Sequence, residues 1–189
     1  MLIRILAFLL ETGFFLLIAS ALLRAWMNWL RVNMSAPPGS LVMALTNWLV
    51  KPLRRVLPAS LAQSRVDWAS VLAAALMALG YALLWWVLFG LLLAEPGGGM
   101  GVGPLIGFSL LWFALKMLVR VALQSVFILV LGYAVLSWVQ PGSPVCGLLG
   151  RLTEPFLAPL RRLIPAVGGV DLSALVLMLL LQIGLMVLA

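Results

Sequence analysis

Four long apolar stretches decide which solvent this chain can fold in. A helix needs about 20 predominantly apolar residues to cross the hydrocarbon core of a bilayer. The first stretch runs from Leu2 to Ala25, broken only by Arg4, Glu11 and Arg24. The second, Trp68 to Ala94, carries no charge. The third lies within Leu105–Val139 and holds Lys116 and Arg120, and the fourth is Leu172–Ala189. A secretory signal competes for the first stretch, since Arg4 could serve as its basic start and Ala19-Ser20-Ala21 resembles a cleavage site. Glu11 interrupts that apolar core, and the segment has a counterpart later in the chain, so a retained helix is expected.

Composition agrees. Apolar residues make up 65% of the 189 and charged residues 9%, against about 25% charged in a soluble domain. The chain has no histidine, one cysteine (Cys146) and five scattered carboxylates: Glu11, Asp67, Glu95, Glu154 and Asp171. That inventory excludes an internal disulfide and a Cys/His zinc site. It also excludes a Cys–His nucleophilic pair, so an enzyme is not expected. The net charge of +7 sits between apolar spans rather than on a soluble face with interleaved aromatics. Anionic lipid headgroups are therefore expected as partners, and nucleic acid is not.

Basic residues in short loops set orientation. The first connection holds Arg24, Arg31, Lys51, Arg54, Arg55 and Arg65, and the third holds Arg151, Arg161 and Arg162. The second, Glu95 to Pro104, has no basic residue and five glycines. Loops one and three are thus expected in the cytoplasm, with both termini on the other side. The glycine-rich segment lacks the Lys and Ser/Thr of a phosphate loop and reads as a linker.

The halves repeat each other. Lys51-Pro52-Leu53-Arg54-Arg55-Val56-Leu57-Pro58 lies over Ala158-Pro159-Leu160-Arg161-Arg162-Leu163-Ile164-Pro165, with five of eight positions identical. In the same frame Thr46 falls on Thr153, and nearby Val66-Asp67 matches Val170-Asp171. Upstream, Arg24-Ala25-Trp26 matches Tyr133-Ala134-Val135. Two spans per copy make the copies parallel rather than inverted. The expected fold is an all-α membrane protein of four transmembrane helices, built as two tandem parallel two-helix repeats. Residues 1–94 form the first, 95–104 the linker and 105–189 the second, each with a Pro/Arg-containing cytoplasmic loop at the interface.

Between the prolines of each loop, Leu53, Val56 and Leu57, or Leu160, Leu163 and Ile164, share a face opposite the arginine pairs. This predicts a short amphipathic element lying in the interface. Thr153-Glu154-Pro155 reads as a helix start, with a threonine cap, an acid in the first turn and an early proline. Asp67 and Asp171 are expected to cap the second helix of each copy. The residues expected to face lipid or a partner are therefore Lys51, Pro52, Arg54, Arg55, Pro58, Asp67, Thr153, Glu154, Pro155, Pro159, Arg161, Arg162, Pro165 and Asp171. Plain membrane anchoring is the alternative for these loops. Within the spans, the repeat frame places Glu11 over Arg120, with Lys116 nearby. An intramembrane Glu11–Arg120 pair is one reading and two charges at the far headgroups the other.

The run Arg151-Leu152-Thr153-Glu154-Pro155-Phe156-Leu157-Ala158-Pro159-Leu160-Arg161-Arg162-Leu163-Ile164-Pro165, followed by Gly168-Gly169-Val170-Asp171-Leu172-Ser173, resembles the signature of the bacterial YggT (YlmG) family. The first loop departs from it: Asn47-Trp48 replaces Glu-Pro, and Gln63-Ser64-Arg65 replaces the glycines. The resemblance implies a bacterial inner-membrane protein with links to osmotic or ion stress. For chloroplast relatives it implies haem attachment to a cytochrome b and organelle nucleoid or division organisation. Without histidine, a role in haem assembly would act through partners, and no cofactor is expected here. The function expected is a non-enzymatic membrane scaffold or assembly factor that docks partners or anionic lipids through its basic loops. The alternative is a channel or transporter accessory in osmotic homeostasis, for which a homo-oligomer would be needed.

Overall fold

A computed structural model describes residues 1–34, 38–57, 66–93, 104–163 and 171–188. The described residues form six helices and no strand: α1 (Leu2–Trp29), α2 (Gly39–Val56), α3 (Trp68–Leu93), α4 (Pro104–Val139), α5 (Pro144–Leu163) and α6 (Leu172–Val187). Three of them, α1, α3 and α4, are long and apolar enough to cross a membrane. The fourth expected span, α6, is apolar but only 16 residues long. Linker residues 95–103, with Pro58, Arg65 and Pro165, lie outside the described residues, and Pro104, expected in the linker, opens α4.

Two compact units result, Met1–Val121 and Ala122–Ala189. In the first, α1 packs on α3 along a seam of small residues. Ala69, Ala73, Ala74, Ala78 and Ala82 are buried on α3 against Ile18 and Ala21 of α1. Small side chains let two backbones approach where lipid supplies no hydrophobic drive to associate. The Ala19-Ser20-Ala21 segment thus lies inside a continuous helix, with Ala21 fully buried. Tyr81 caps the seam among Phe14, Trp85 and Phe113. In the second unit, Val130 of α4, Leu157 of α5 and Ala174, Leu177 and Leu181 of α6 make the core.

The interfacial elements are longer than their prolines predicted. α2 has 18 residues with Pro52 inside it, and α5 has 20 with Pro155 and Pro159 inside. An internal proline removes the bond to the carbonyl four residues back and costs about 3 kcal/mol in isolation. Burial on one face holds both helices through it: Val42, Thr46 and Val50 on α2, and Leu152, Thr153 and Leu157 on α5. The reading of Thr153-Glu154-Pro155 as a helix start is therefore wrong. Thr153 sits in the middle of α5, fully buried, and its hydroxyl donates to the Leu149 carbonyl at 2.8 Å. The start lies at Pro144, where the Ser143 hydroxyl accepts the Cys146 N–H. Cys146 is buried in that first turn.

The turn from α1 to α2 is tightly specified. Val32 N–H bonds the Met27 carbonyl and Arg31 N–H the Asn28 carbonyl, the pattern of a Schellman cap. Arg31 takes the left-handed position, φ 53°, that glycine usually fills. A β-carbon on Gly39 would lie 2.7 Å from the Met34 Cα and carbonyl oxygen. Opposite effects follow for thermal unfolding in detergent. Arg31→Gly should stabilise by about 1 kcal/mol by relieving the left-handed residue. Gly39→Ala should destabilise by about 1–3 kcal/mol, because backbone has to move.

Candidate functional site

The chemistry gathers where each amphipathic helix ends and the next apolar helix begins. In the first unit Asp67, one residue before α3, is the hub. Its Oδ2 accepts Arg54 Nη2 at 2.5 Å and the Ser70 hydroxyl at 2.9 Å. Arg24 Nε stands 4.0 Å away, and the Arg24 and Asp67 side chains are each only 6% exposed. Arg24 Nη1 donates to Thr46 Oγ1 at 2.8 Å and to Asn47 Oδ1 at 3.0 Å. Arg24 was expected among the loop cations. Instead it is held inside α1, because two polar side chains of α2 and the Asp67 charge compensate its burial.

The second unit repeats the hub with other accessories. Asp171 caps α6, its Oδ1 accepting the Ser173 N–H at 3.1 Å and also the Ser173 hydroxyl. Its Oδ2 accepts Arg161 Nε at 2.9 Å, with Nη2 2.8 Å away. Arg161 also donates to Glu154 at 2.8 Å and to the Tyr133 hydroxyl at 3.1 Å, and its guanidinium lies 5.8 Å from the Tyr133 ring centre. All three guanidinium nitrogens are therefore engaged, the geometry at which arginine surpasses lysine.

Burial alone would weaken the Arg161 charge, but its bonds to Asp171 and Tyr133 outweigh that and hold its pKa above the usual value. Burial likewise opposes the Asp171 charge. The bonds from Ser173 and Arg161 prevail and hold its carboxyl below the ordinary range.

The two clusters share an arginine from the Pro-Leu-Arg-Arg run and an aspartate ahead of the next helix. Arg54 and Arg161 reach the acid ahead of the next helix in both halves. Arg24 corresponds to Tyr133 and Asn47 to Glu154, and all four join their clusters. The balance of charge inverts: the first cluster sets two guanidiniums against one carboxylate, the second one guanidinium against two.

The sequence set Arg54, Arg161, Asp67 and Asp171 among the residues facing lipid or a partner; here each arginine bonds one of those aspartates, and Arg24 and Tyr133, which were not among the expected site residues, join them. The signal lay in the repeat frame, where an Arg and a following Asp recur in both copies. Of the other expected residues, Lys51, Pro52, Arg55, Pro159 and Arg162 are exposed, Pro155 is half-buried, and Thr153 is buried against its own helix. Glu11 and Arg120 approach to 4.0 Å, with side chains 50% and 43% exposed, and Lys116 lies one turn before Arg120. Among the described residues no three His, Cys, Asp or Glu side chains gather to hold a metal.

Three long apolar helices, two amphipathic helices and polar clusters at the helix ends define a multi-helix membrane protein. The chain belongs to the CCB3/YggT family, whose model matches residues 3–88 and 113–189. It is 35% identical over 180 residues to the "Uncharacterized protein YggT" of Escherichia coli (strain K12), covering 94% of this chain and 86% of that one. It is 36% identical over 180 residues to the "Uncharacterized protein in proC 3'region" of Vibrio alginolyticus, covering 93% and 89%. No solved structure matches.

The two hubs should respond differently to losing their charge. Asp67→Asn leaves the buried Arg24 uncompensated and should cost about 3–5 kcal/mol in detergent unfolding. Asp171→Asn keeps a competent cap and should cost about 1–3 kcal/mol, the worth of its charged hydrogen bonds. Because the folded Asp171 pKa is depressed, its contribution is complete above the unfolded value of about 3.9. It is lost as pH falls through the lower folded value. The stability gap between wild type and Asp171→Asn should stay level from neutral pH downward and close only below pH ~4.

Proposed function

We propose that the chain is a non-enzymatic scaffold or assembly factor of the bacterial inner membrane, docking partners or anionic lipids through the basic faces of α2 and α5. The observation that carries this reading is the division of labour within each Arg-Arg pair. Arg54, itself half-exposed, and Arg161 bond Asp67 and Asp171, while the neighbouring Arg55 and Arg162 are exposed. Lys51 and Arg151 are exposed on the same two helices. Cations carried on anchored amphipathic helices suit phosphate headgroups or an acidic protein surface.

In this reading α1, α3, α4 and the shorter α6 are four spans in two tandem parallel repeats. Support comes from the two separate stretches of the family match and from the recurring Arg–Asp hub. α6 extends about 24 Å at 1.5 Å per residue, a shortfall that local thinning of the bilayer accommodates. The basic loops face the cytoplasm and the termini the periplasm, following the bias of Lys and Arg.

One observation favours a second reading, a small channel or transporter accessory in osmotic or ion homeostasis. Glu11 and Arg120 bring opposite charges together on two long apolar helices, and ionisable groups at such positions mark ion routes in many membrane proteins. The scaffold reading leads because the exposed cations lie on both amphipathic helices.

A photo-crosslinker placed at position 162 should give one discrete protein adduct in intact membranes, while a lipid-facing position such as Leu179 should give none. Proteoliposomes holding the folded protein should show ion flux no higher than empty liposomes. Flux that a Glu11→Ala/Arg120→Ala variant abolishes would overturn the scaffold in favour of the channel.

A further inference from the structure

The buried face of α2, formed by Val42, Thr46 and Val50, is fixed to α1 and α3, with Leu49 and Leu53 packed beside it. The opposite face carries Leu41, Ala44, Leu45, Trp48, Lys51, Pro52, Arg55 and Val56, all exposed. These positions recur every three or four residues and make one continuous stripe. Its first two turns are apolar and end in Trp48, which is 61% exposed. Its last turns carry two cations one helical turn apart.

The depth of this stripe follows from its anchors. α2 is tied to Arg24, near the end of α1, and through Arg54 to Asp67, just before α3. It is therefore seated where two long apolar helices end. Trp29 and Trp68, at those two ends, are also exposed, and tryptophan concentrates at the bilayer interface. An amphipathic helix at that level, with leucines and tryptophan beside lysine and arginine, suits an anionic lipid surface better than water.

We infer that α2 lies in the headgroup layer, with Leu41, Leu45 and Trp48 in the acyl boundary and Lys51 and Arg55 gripping the phosphate of one anionic phospholipid. This rests on the membrane-surface reading above and makes it specific to the first half of the chain. In the repeat frame Lys51 becomes Ala158 and Trp48 becomes Pro155, and Leu45 becomes the buried Leu152. α5 keeps one cation of the two, Arg162, and has no aromatic anchor at the equivalent position. The second Arg of the pair alone does not make the site; its partner one turn earlier does.

Native mass spectrometry of the full chain in detergent, with equal amounts of phosphatidylglycerol and phosphatidylcholine, tests the assignment. The wild type should retain phosphatidylglycerol preferentially, and millimolar inorganic phosphate should not displace it. Lys51→Gln/Arg55→Gln should cut that preference by about thirtyfold, the equivalent of ~1 kcal/mol from each cation. Arg162→Gln should leave it nearly unchanged. The charge-keeping Lys51→Arg/Arg55→Lys variant should restore it, which separates lost binding from lost folding. A double Gln variant that keeps the preference, or an Arg162→Gln variant that loses it equally, overturns the inference. Displacement by free phosphate also overturns it, since the ligand would then be an ion rather than a lipid. The crosslinking and flux results are independent of this outcome, so failure here leaves the scaffold reading standing, and flux there removes it whatever lipid is retained.

Discussion

Asp67 and Asp171 each tie a chain reversal together. Each stands just ahead of an apolar helix, bonds a serine in that helix's first turn, and takes the arginine from the last turn of the preceding amphipathic helix. That last turn lies beyond a proline, which removes the backbone bond to the carbonyl four residues earlier, at Trp48 or Pro155. The ion pair ties down the end of the helix beyond that gap. Through it α2 and α5 are held to the apolar helices that follow them, and the cations beside them are carried at fixed positions.

The two hubs differ in their accessory residues. Arg24 with Asn47 in one half stands where Tyr133 with Glu154 stands in the other. Placing Glu at position 47 while keeping Arg24 would turn the first cluster from net positive to neutral. Placing Asn at 154 would remove a charge from Arg161, which draws on three side chains at once. Each cluster suits its own accessories, and the inverted charge balance gives the two amphipathic helices different electrostatic surroundings.

Much of the fold was legible in the residues. Long apolar runs gave the long helices, the Pro-Leu-Arg-Arg runs aligned Arg54 with Arg161, and the nearby Val-Asp pairs, at a slightly different offset, aligned Asp67 with Asp171. Other features were hidden for identifiable reasons. Pro52, Pro155 and Pro159 read as boundaries, yet burial along one face carried both helices through them. Thr153 carries the chemistry of a cap and spends its hydroxyl on its own helix. Arg24 read as a loop cation because its compensation comes from Thr46 and Asn47, more than 20 residues away. Arg31 fills a position where glycine is usual, which no local pattern announces.

The most direct test of the Arg–Asp hub is a double-mutant cycle in each half, using Arg54→Gln with Asp67→Asn and Arg161→Gln with Asp171→Asn. Thermal or denaturant unfolding in detergent would supply the four stabilities of each cycle. If the hub holds each amphipathic helix to the next apolar helix, both cycles give coupling within about 0.5–3 kcal/mol, larger in the first half because Asp67 is more deeply buried. Single effects that add to within about 0.3–0.5 kcal/mol in both halves would contradict the account, since the arginine and the aspartate would then stabilise the protein independently.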